Sequence, residues 1–286
     1  MASSQNFAMG VTVLNSISIR GMASLRSLLA SGTTIVAPGA TDALSAKLIE
    51  AHGFPCVYIG SYATAASRFA LPDSGLLTLD ALVEQARTIA RAVKVPVIAD
   101  AEGGFYDASE IWRTVQAFED AGVAAIHIED HTGAGKHTSA PQTLRSLAET
   151  AEAIRAAVAA RQNPDFMIVA RSDAFWIAGD LEECIVRLAA YADAGADMVF
   201  RTAVGPAELA EVRRRIAKPA MIIDMPGRRL EEHGDASIVL YYAFSTLVQF
   251  TALSRALRDF KAPAGQDALE AFLGYGKPRG ESEAGR

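Results

Sequence analysis

Eight short apolar runs separated by helical patterns constrain this chain more than any other feature. The runs are Thr34–Ala37, Cys56–Gly60, Val95–Asp100, Ala125–Glu129, Met167–Ala170, Met198–Phe200, Ala220–Ile223 and Ile238–Tyr241. Most are rich in Val and Ile, as strands buried on both faces are. Helical spacing fills Ala43–His52, Leu79–Val93, Ala108–Ala121, Leu147–Ala160, Leu181–Ala194 and Ala207–Ile216. Gly53 and Gly122 stand where left-handed caps belong, and Thr78 and Asp180 where N-caps belong. Strand alternating with helix implies parallel pairing, and eight such units predict an α/β fold of the (β/α)8 TIM-barrel type. A doubly wound sheet would need a Gly-rich nucleotide turn after an early strand, and none is present. Residues 1–286 read as one barrel domain. Residues 1–22 form an N-terminal arm, 246–276 a C-terminal helical segment, and 277–286 a polar tail.

Composition narrows the function classes. Half of the 286 residues are hydrophobic and 21% are charged, which excludes a disordered chain. The formal charge of −6 offers no basic face for nucleic acid. The cluster Arg213, Arg214, Arg215 reads as the solvated side of a helix. No apolar run reaches the roughly 20 residues that span a bilayer. The stretch Phe7–Ile19 lacks the basic flank and cleavage site of a signal peptide. Two cysteines, Cys56 and Cys184, do not make a disulfide framework, so a cytoplasmic location is the default expectation.

A barrel of this kind carries its site at the C-terminal ends of its strands. Tyr58, Gly60 and Ser61 end the second strand, and Asp73 lies in the loop beyond. Asp100-Ala101-Glu102 ends the third strand, Glu129-Asp130 the fourth, and Arg171-Ser172-Asp173 the fifth. Arg201 and Thr202 end the sixth, and Asp224 the seventh. Carboxylates converging on one mouth repel unless a cation sits among them, and all-oxygen ligands suit Mg²⁺ or Mn²⁺. The competing reading makes some of these acids helix caps or arginine partners.

Together these segments resemble the isocitrate lyase and phosphoenolpyruvate mutase superfamily. The resemblance rests on Ala37-Pro38-Gly39-Ala40-Thr41-Asp42-Ala43-Leu44-Ser45, Tyr58-Ile59-Gly60-Ser61, Leu71-Pro72-Asp73 and Asp100-Ala101-Glu102-Gly103-Gly104-Phe105. It continues through His127-Ile128-Glu129-Asp130, Ala170-Arg171-Ser172-Asp173-Ala174 and Ala194-Gly195-Ala196-Asp197, covering roughly Leu25 to Leu257. It implies a barrel whose last helix is exchanged between subunits, in a homo-oligomer (a tetramer or a dimer). It implies Mg²⁺ held by Asp100, with Asp73, Glu102 and Glu129 reaching it partly through water. Glu102 is one methylene longer than the aspartate common at that position. The resemblance also implies chemistry through the enolate of an α-oxo acid, its oxygens held by the metal and by backbone amides near Gly60, Ser61 and Tyr62. Arg171 matches the arginine that grips a substrate carboxylate, and Tyr58 a tyrosine lining the pocket.

Other positions depart from the family. The Lys-Lys/Arg-Cys-Gly-His loop of its cleaving members is here His131-Thr132-Gly133-Ala134-Gly135-Lys136-His137-Thr138-Ser139, without cysteine. Thr202 replaces a glutamate, and Asp224 lies near the place of an asparagine. These departures argue against an isocitrate or methylisocitrate lyase. The favoured expectation is a Mg²⁺-dependent lyase acting on a small 2-oxo or hydroxy di-acid, oxaloacetate-like, with Lys136 or His137 protonating the enolate. A phosphonate mutase or hydrolase is the second reading, and a non-catalytic metabolite-binding barrel the third. Zinc at His127, Glu129 and His131 lacks a His-Glu-x-x-His helix or a paired-cysteine motif. The glycines before Lys136 fail the spacing of a phosphate loop.

Overall fold

The computed structural model describes residues 24–132, 136, 142–202, 205–224, 234–260 and 266–273. The chain divides into two compact units, Met1–Thr246 and Leu247–Arg286. The N-terminal arm 1–22, the tail 277–286 and His137 lie outside the described residues.

The first unit is an eight-stranded parallel barrel. Its strands are β1 (Ile35–Pro38), β2 (Val57–Ile59), β3 (Val97–Asp100), β4 (Ala125–Glu129), β5 (Met167–Ser172), β6 (Met198–Arg201), β7 (Ala220–Ile223) and β8 (Ile238–Tyr241). They pair in the order β1-β8-β7-β6-β5-β4-β3-β2. A parallel bridge between Gly39 and Tyr58 closes the seam between β1 and β2. Gly39 is required there, because a Cβ would lie 2.3 Å from the carbonyl oxygen of Tyr242.

Helices cover the strands. They are α1 (Leu25–Ala30), α2 (Ala43–Ala51), α3 (Ser61–Thr64), α4 (Leu79–Ala90), α5 (Trp112–Ala121), α6 (Leu147–Ala160), α7 (Ala174–Ala178), α8 (Leu181–Asp193) and α9 (Pro206–Arg215). A π-helical turn, Ala65–Phe69, extends α3. Thr78 and Asp180 cap α4 and α8 through their side chains, as the sequence predicts. Asp42 and Ser146 add capping boxes at α2 and α6. Each box satisfies two amides that would otherwise lack a partner.

Period-two alternation sorts the strand residues into two cores. Tyr58, Ile98, Ala125, Met167, Val169, Met198, Phe200 and Met221 fill the barrel interior. Val57, Ile59, Ala99, Ile126, Ile128, Ile168 and Val199 pack outward against the helices. The same alternation continues into the strand ends and decides which acids enter the mouth.

The second unit holds most of α10 (Phe244–Asp259) and all of α11 (Gln266–Leu273). Phe250, Leu253 and Leu257 are exposed on α10, as are Leu269, Phe272 and Leu273 on α11. Among the described residues no helix is long and apolar enough to cross a membrane.

Candidate active site

Asp100, Glu129 and Arg171 follow the inward-facing residues Ile98, Ala125 and Val169 at even spacing, so each side chain enters the barrel mouth. Oxygens of Asp100, Glu102 and Glu129 lie within 4.8 Å of one another, and all three residues are buried. Asp73, also placed here by the sequence reading, is buried, and its charge helps to raise the Glu102 pKa.

Asp100 is clamped from several sides. Its Oδ2 accepts from the Ser61 amide at 3.1 Å and the Ser61 hydroxyl at 2.8 Å. Its Oδ1 accepts from the Glu102 amide at 2.8 Å. Burial opposes its charge, but His127, Lys136, Arg171 and the Glu102 amide outweigh it and hold the carboxyl well below its usual range. Ser61 therefore spends its amide and hydroxyl on Asp100, where the sequence reading gave its backbone to substrate.

Glu102 adopts a left-handed backbone, φ +50°. A non-glycine residue there costs about 1–3 kcal/mol and persists only where its surroundings hold it. Here its amide binds Asp100, and its carbonyl accepts from the Glu129 amide at 2.8 Å. A Cβ at Gly103 would meet Arg145 Nη2 at 2.7 Å and the His131 carbonyl oxygen at 3.2 Å, so the arginine head would have to shift. Burial and the charge of Asp100 push the Glu102 carboxyl up to about 8, against the pull of Lys136. Burial likewise raises Glu129.

Two cations meet these acids. Lys136 Nζ lies 2.8 Å from Glu102 Oε2 and 2.9 Å from Glu129 Oε1. Its side chain is 1% exposed. Burial opposes its charge, yet Glu129, Glu102 and Asp100 hold the ammonium charged well above the ordinary lysine range. Arg171 places Nη1 3.0 Å from Glu129 Oε2 and forks onto Asp173 with Nε at 2.8 Å and Nη2 at 2.9 Å. Among the described residues the fork onto Asp173 uses two of the five Arg171 N–H groups, which leaves others to face Glu129 and a substrate carboxylate. Thr202 donates to Asp173 Oδ1 at 2.6 Å, so it braces the fork.

Tyr58 points inward. Its Oη lies 2.9 Å from His127 Nε2. Burial drives the His127 pKa down to about 4, so the imidazole is neutral at neutral pH. His127 Nδ1 faces Asp100 Oδ1 at 3.6 Å. A lone pair aimed at a buried carboxylate would be repelled, which favours the proton on Nδ1 and makes Tyr58 the donor to Nε2. His127 is thus a core histidine with a partner, and the Tyr58 hydroxyl is committed to it. Tyr62 packs edge-on against Tyr242, with ring centroids 5.4 Å apart. Gly60 N-caps α3 with an extended backbone, and Asp224 is buried just beyond the end of β7.

Asp130 takes no part in the mouth. It follows Glu129 and faces the helices, accepting from Ser172 Oγ at 2.7 Å, the Asp173 amide at 2.9 Å and Tyr191 Oη at 3.1 Å. The sequence reading assigned no role to Asp173. Its signal was the Arg171–Asp173 spacing, which puts both side chains on one face at a strand end.

The arrangement defines a class: a (β/α)8 barrel with an acid-lined mouth suited to a hard divalent cation, and a guanidinium beside it suited to a carboxylate. The sequence profile of the phosphoenolpyruvate phosphomutase family matches residues 25–261, and the chain belongs to that family. A 2,3-dimethylmalate lyase of Eubacterium barkeri is 45% identical over 180 residues, 62% of each chain. A 2-methylisocitrate lyase of Salmonella typhimurium is 39% identical over 191 residues, 66% of this chain and 64% of that one. The matches therefore span less than two thirds of those relatives. A phosphonopyruvate hydrolase solved with oxalate and Mg²⁺ superposes with a TM-score of 0.76 at 28% identity, covering 87% of this chain and 93% of that one.

Proposed function

We propose that the protein is a Mg²⁺-dependent carbon–carbon lyase acting on a small 2-oxo or hydroxy di-acid, oxaloacetate-like, through an enolate. The observation that carries this is the buried cluster of Asp100, Glu102 and Glu129 beside Arg171. The donors are all carboxylate oxygens, and Glu102 Oε1 is buried without a hydrogen-bond partner. That chemistry fits a hard cation, Mg²⁺ or Mn²⁺, held by Asp100 with Glu102, Glu129 and Asp73 around it. When bound, such an ion supplies Lewis-acid stabilisation of charge developing on substrate oxygens.

The chain's own residues do the rest. Arg171, fixed by Asp173 and Thr202, offers its remaining N–H groups to one substrate carboxylate. Gly60, Ser61 and Tyr62 shape the wall beside Asp100. With an oxaloacetate-like acid, the bond to the leaving carboxylate breaks, its electron pair passes into the enolate of the remaining α-oxo acid, CO₂ departs, and the Lys136 ammonium gives a proton to the enolate carbon. His137 is the alternative donor. Thr202 and Asp224, in place of the family's glutamate and asparagine, set the substrate side chain accepted. Support also comes from the lyase relatives, whose substrates are small carboxylic acids.

A phosphonate reading is favoured by the phosphonopyruvate hydrolase neighbour and by the two cations, which suit a phosphoryl group. One experiment separates the two. With Mg²⁺ added, oxaloacetate, 3-methyloxaloacetate, 2,3-dimethylmalate, methylisocitrate and phosphonopyruvate are followed by ¹H and ³¹P NMR. Carbon–carbon cleavage or CO₂ loss supports the lyase, and a changed phosphorus spectrum alone supports the phosphonate enzyme. Silence across the panel at high protein concentration leaves the non-catalytic barrel.

The assembly we favour is a cytoplasmic homo-oligomer, a tetramer or dimer with the C-terminal helix exchanged. Phe250, 72% exposed, Leu253 and Leu257 supply an apolar face on α10 for a second copy. Light scattering should give a multimer, and a Leu253→Glu, Leu257→Glu double variant should give a monomer.

A further inference from the structure

The Lys136 ammonium bridges two of the three carboxylates that would hold the metal. Its contacts are 2.8 Å to Glu102 Oε2 and 2.9 Å to Glu129 Oε1, in a cluster no wider than 4.8 Å. A cation shared by those oxygens would occupy the same small volume. From this we infer that Lys136 is a tethered counterion of the cluster, and that a divalent ion binds by displacing its ammonium. The inference rests on the divalent-ion reading above and adds a regulation of that site.

Three observations carry it. First, a lysine side chain 1% exposed loses its hydration, and among the described residues the carboxylates of Glu102 and Glu129 repay that loss. Without a cation, three buried carboxylates whose oxygens lie within 4.8 Å of one another repel. Second, Arg171 cannot replace Lys136, because two of its N–H groups hold it on Asp173 and its Nη1 sits beside Glu129 Oε2 at 3.0 Å. Third, four rotatable bonds let the lysine head leave while its backbone stays. The ammonium thereby offsets part of the negative charge of the metal-free site, and entry of the ion frees it beside the place where substrate carbon is protonated. Metal before substrate is the order this imposes.

The test titrates Mn²⁺ and Mg²⁺ into the full-length protein and into Lys136→Met, without substrate. Isothermal calorimetry should show at least tenfold tighter binding to the variant, which no longer competes with the ion. The metal-free variant should melt lower than the parent and gain more on adding Mg²⁺. The unaltered protein supplies a readout independent of the variant's folding. Its protected Lys136 ¹⁵NH₃⁺ resonance should leave its metal-free position as Mg²⁺ saturates. Equal or weaker binding to Lys136→Met, or an unmoved resonance in the Mg²⁺-saturated parent, would show that lysine and ion coexist and would overturn the inference alone. Absence of divalent binding to either protein at millimolar ion would overturn it together with the metal reading.

Discussion

Glu129 and Asp130 are adjacent acids on opposite faces of one strand end, and they should fail in opposite ways. Asp130→Ala removes the acceptor of three donors, the Asp173 amide, the Ser172 hydroxyl and the Tyr191 hydroxyl. A stranded buried donor costs about 1–3 kcal/mol. The hydroxyls can turn toward other acceptors and the amide cannot, so we expect a loss of about 1–3 kcal/mol from the amide. Arg187, whose Nη1 is 3.5 Å from Asp130 Oδ2, loses part of its countercharge as well. Against a typical stability of about 5–15 kcal/mol, this is a large fraction. Asp130→Asn keeps an oxygen for the Asp173 amide and should lose about 1–2 kcal/mol.

Glu129→Gln removes a carboxylate that burial already disfavours. Lys136 keeps Glu102 and Arg171 keeps Asp173, so neither cation is left alone. The expected change in metal-free stability is within about 1 kcal/mol. Divalent-ion affinity should drop at least tenfold, while Asp130→Asn should leave it within threefold. Urea unfolding followed by circular dichroism reads the first quantity, and Mn²⁺ titration the second. A loss under about 1 kcal/mol for Asp130→Ala, or a larger loss for Glu129→Gln than for Asp130→Ala, would refute the assignment of the two faces.

Other expectations follow from the same geometry. Burial and Asp100 raise Glu102 from its ordinary 4.5 to about 8, so across that range the folded metal-free state binds more protons than the unfolded chain, and Glu102 is fully the anionic partner of Lys136 only above it. Its contribution to stability therefore falls as pH rises from about 4.5 to 8, and calorimetry in buffers of different ionisation enthalpy should show proton release when Mg²⁺ binds near pH 7. His127, lowered from 6.5 to about 4, acts in the other direction: the unfolded chain protonates first, so about 3 kcal/mol is lost as pH falls through that window. Urea midpoints across the window should show a shallower fall for His127→Phe. Ser61→Ala removes one donor from Asp100 Oδ2 and should weaken Mn²⁺ binding about three- to tenfold while the fold persists. Tyr58→Phe should leave turnover within tenfold, because the hydroxyl serves His127; a loss beyond a hundredfold would place it on the substrate.

How much of this was legible in the sequence depends on which physical constraint wrote the residue. A strand buried on both faces is mostly apolar, so Ala220–Ile223 and Ile238–Tyr241 are bounded to the residue, and so is Ala125–Glu129 despite its buried His127 and Glu129. A short helix carries too few residues to show a period, which is why α1, α3 and α7 were invisible. The apolar run Met167–Ala170 stops short of the fifth strand, which continues to Ser172, because polarity marks a strand end only when it faces water. Here Arg171 and Ser172 are polar and buried, each satisfied by acids from its own side of the barrel.

The site divides along the same line. Carboxylates at the ends of neighbouring strands announce themselves, since parallel strands in register bring their ends together. The sequence does not say which donor each acid captures. Ser61 was assigned to substrate and is engaged by Asp100, and Tyr58 was assigned to substrate and is engaged by His127. In both cases a buried charged or polar neighbour competes for the same hydrogen, and only the packed barrel decides. Asp173 shows the reverse: Arg171 needs a bidentate partner to hold one orientation, and the acid two residues on, with Thr202 behind it, provides one. Thr202 stands where the resemblance expects a glutamate. A glutamate there would replace the donor to Asp173 with a second negative charge near it, loosening the fork that aims Arg171. The threonine is therefore tied to the orientation of the arginine as much as to the substrate, and Thr202→Glu should loosen the Arg171 fork before it changes which di-acid fits.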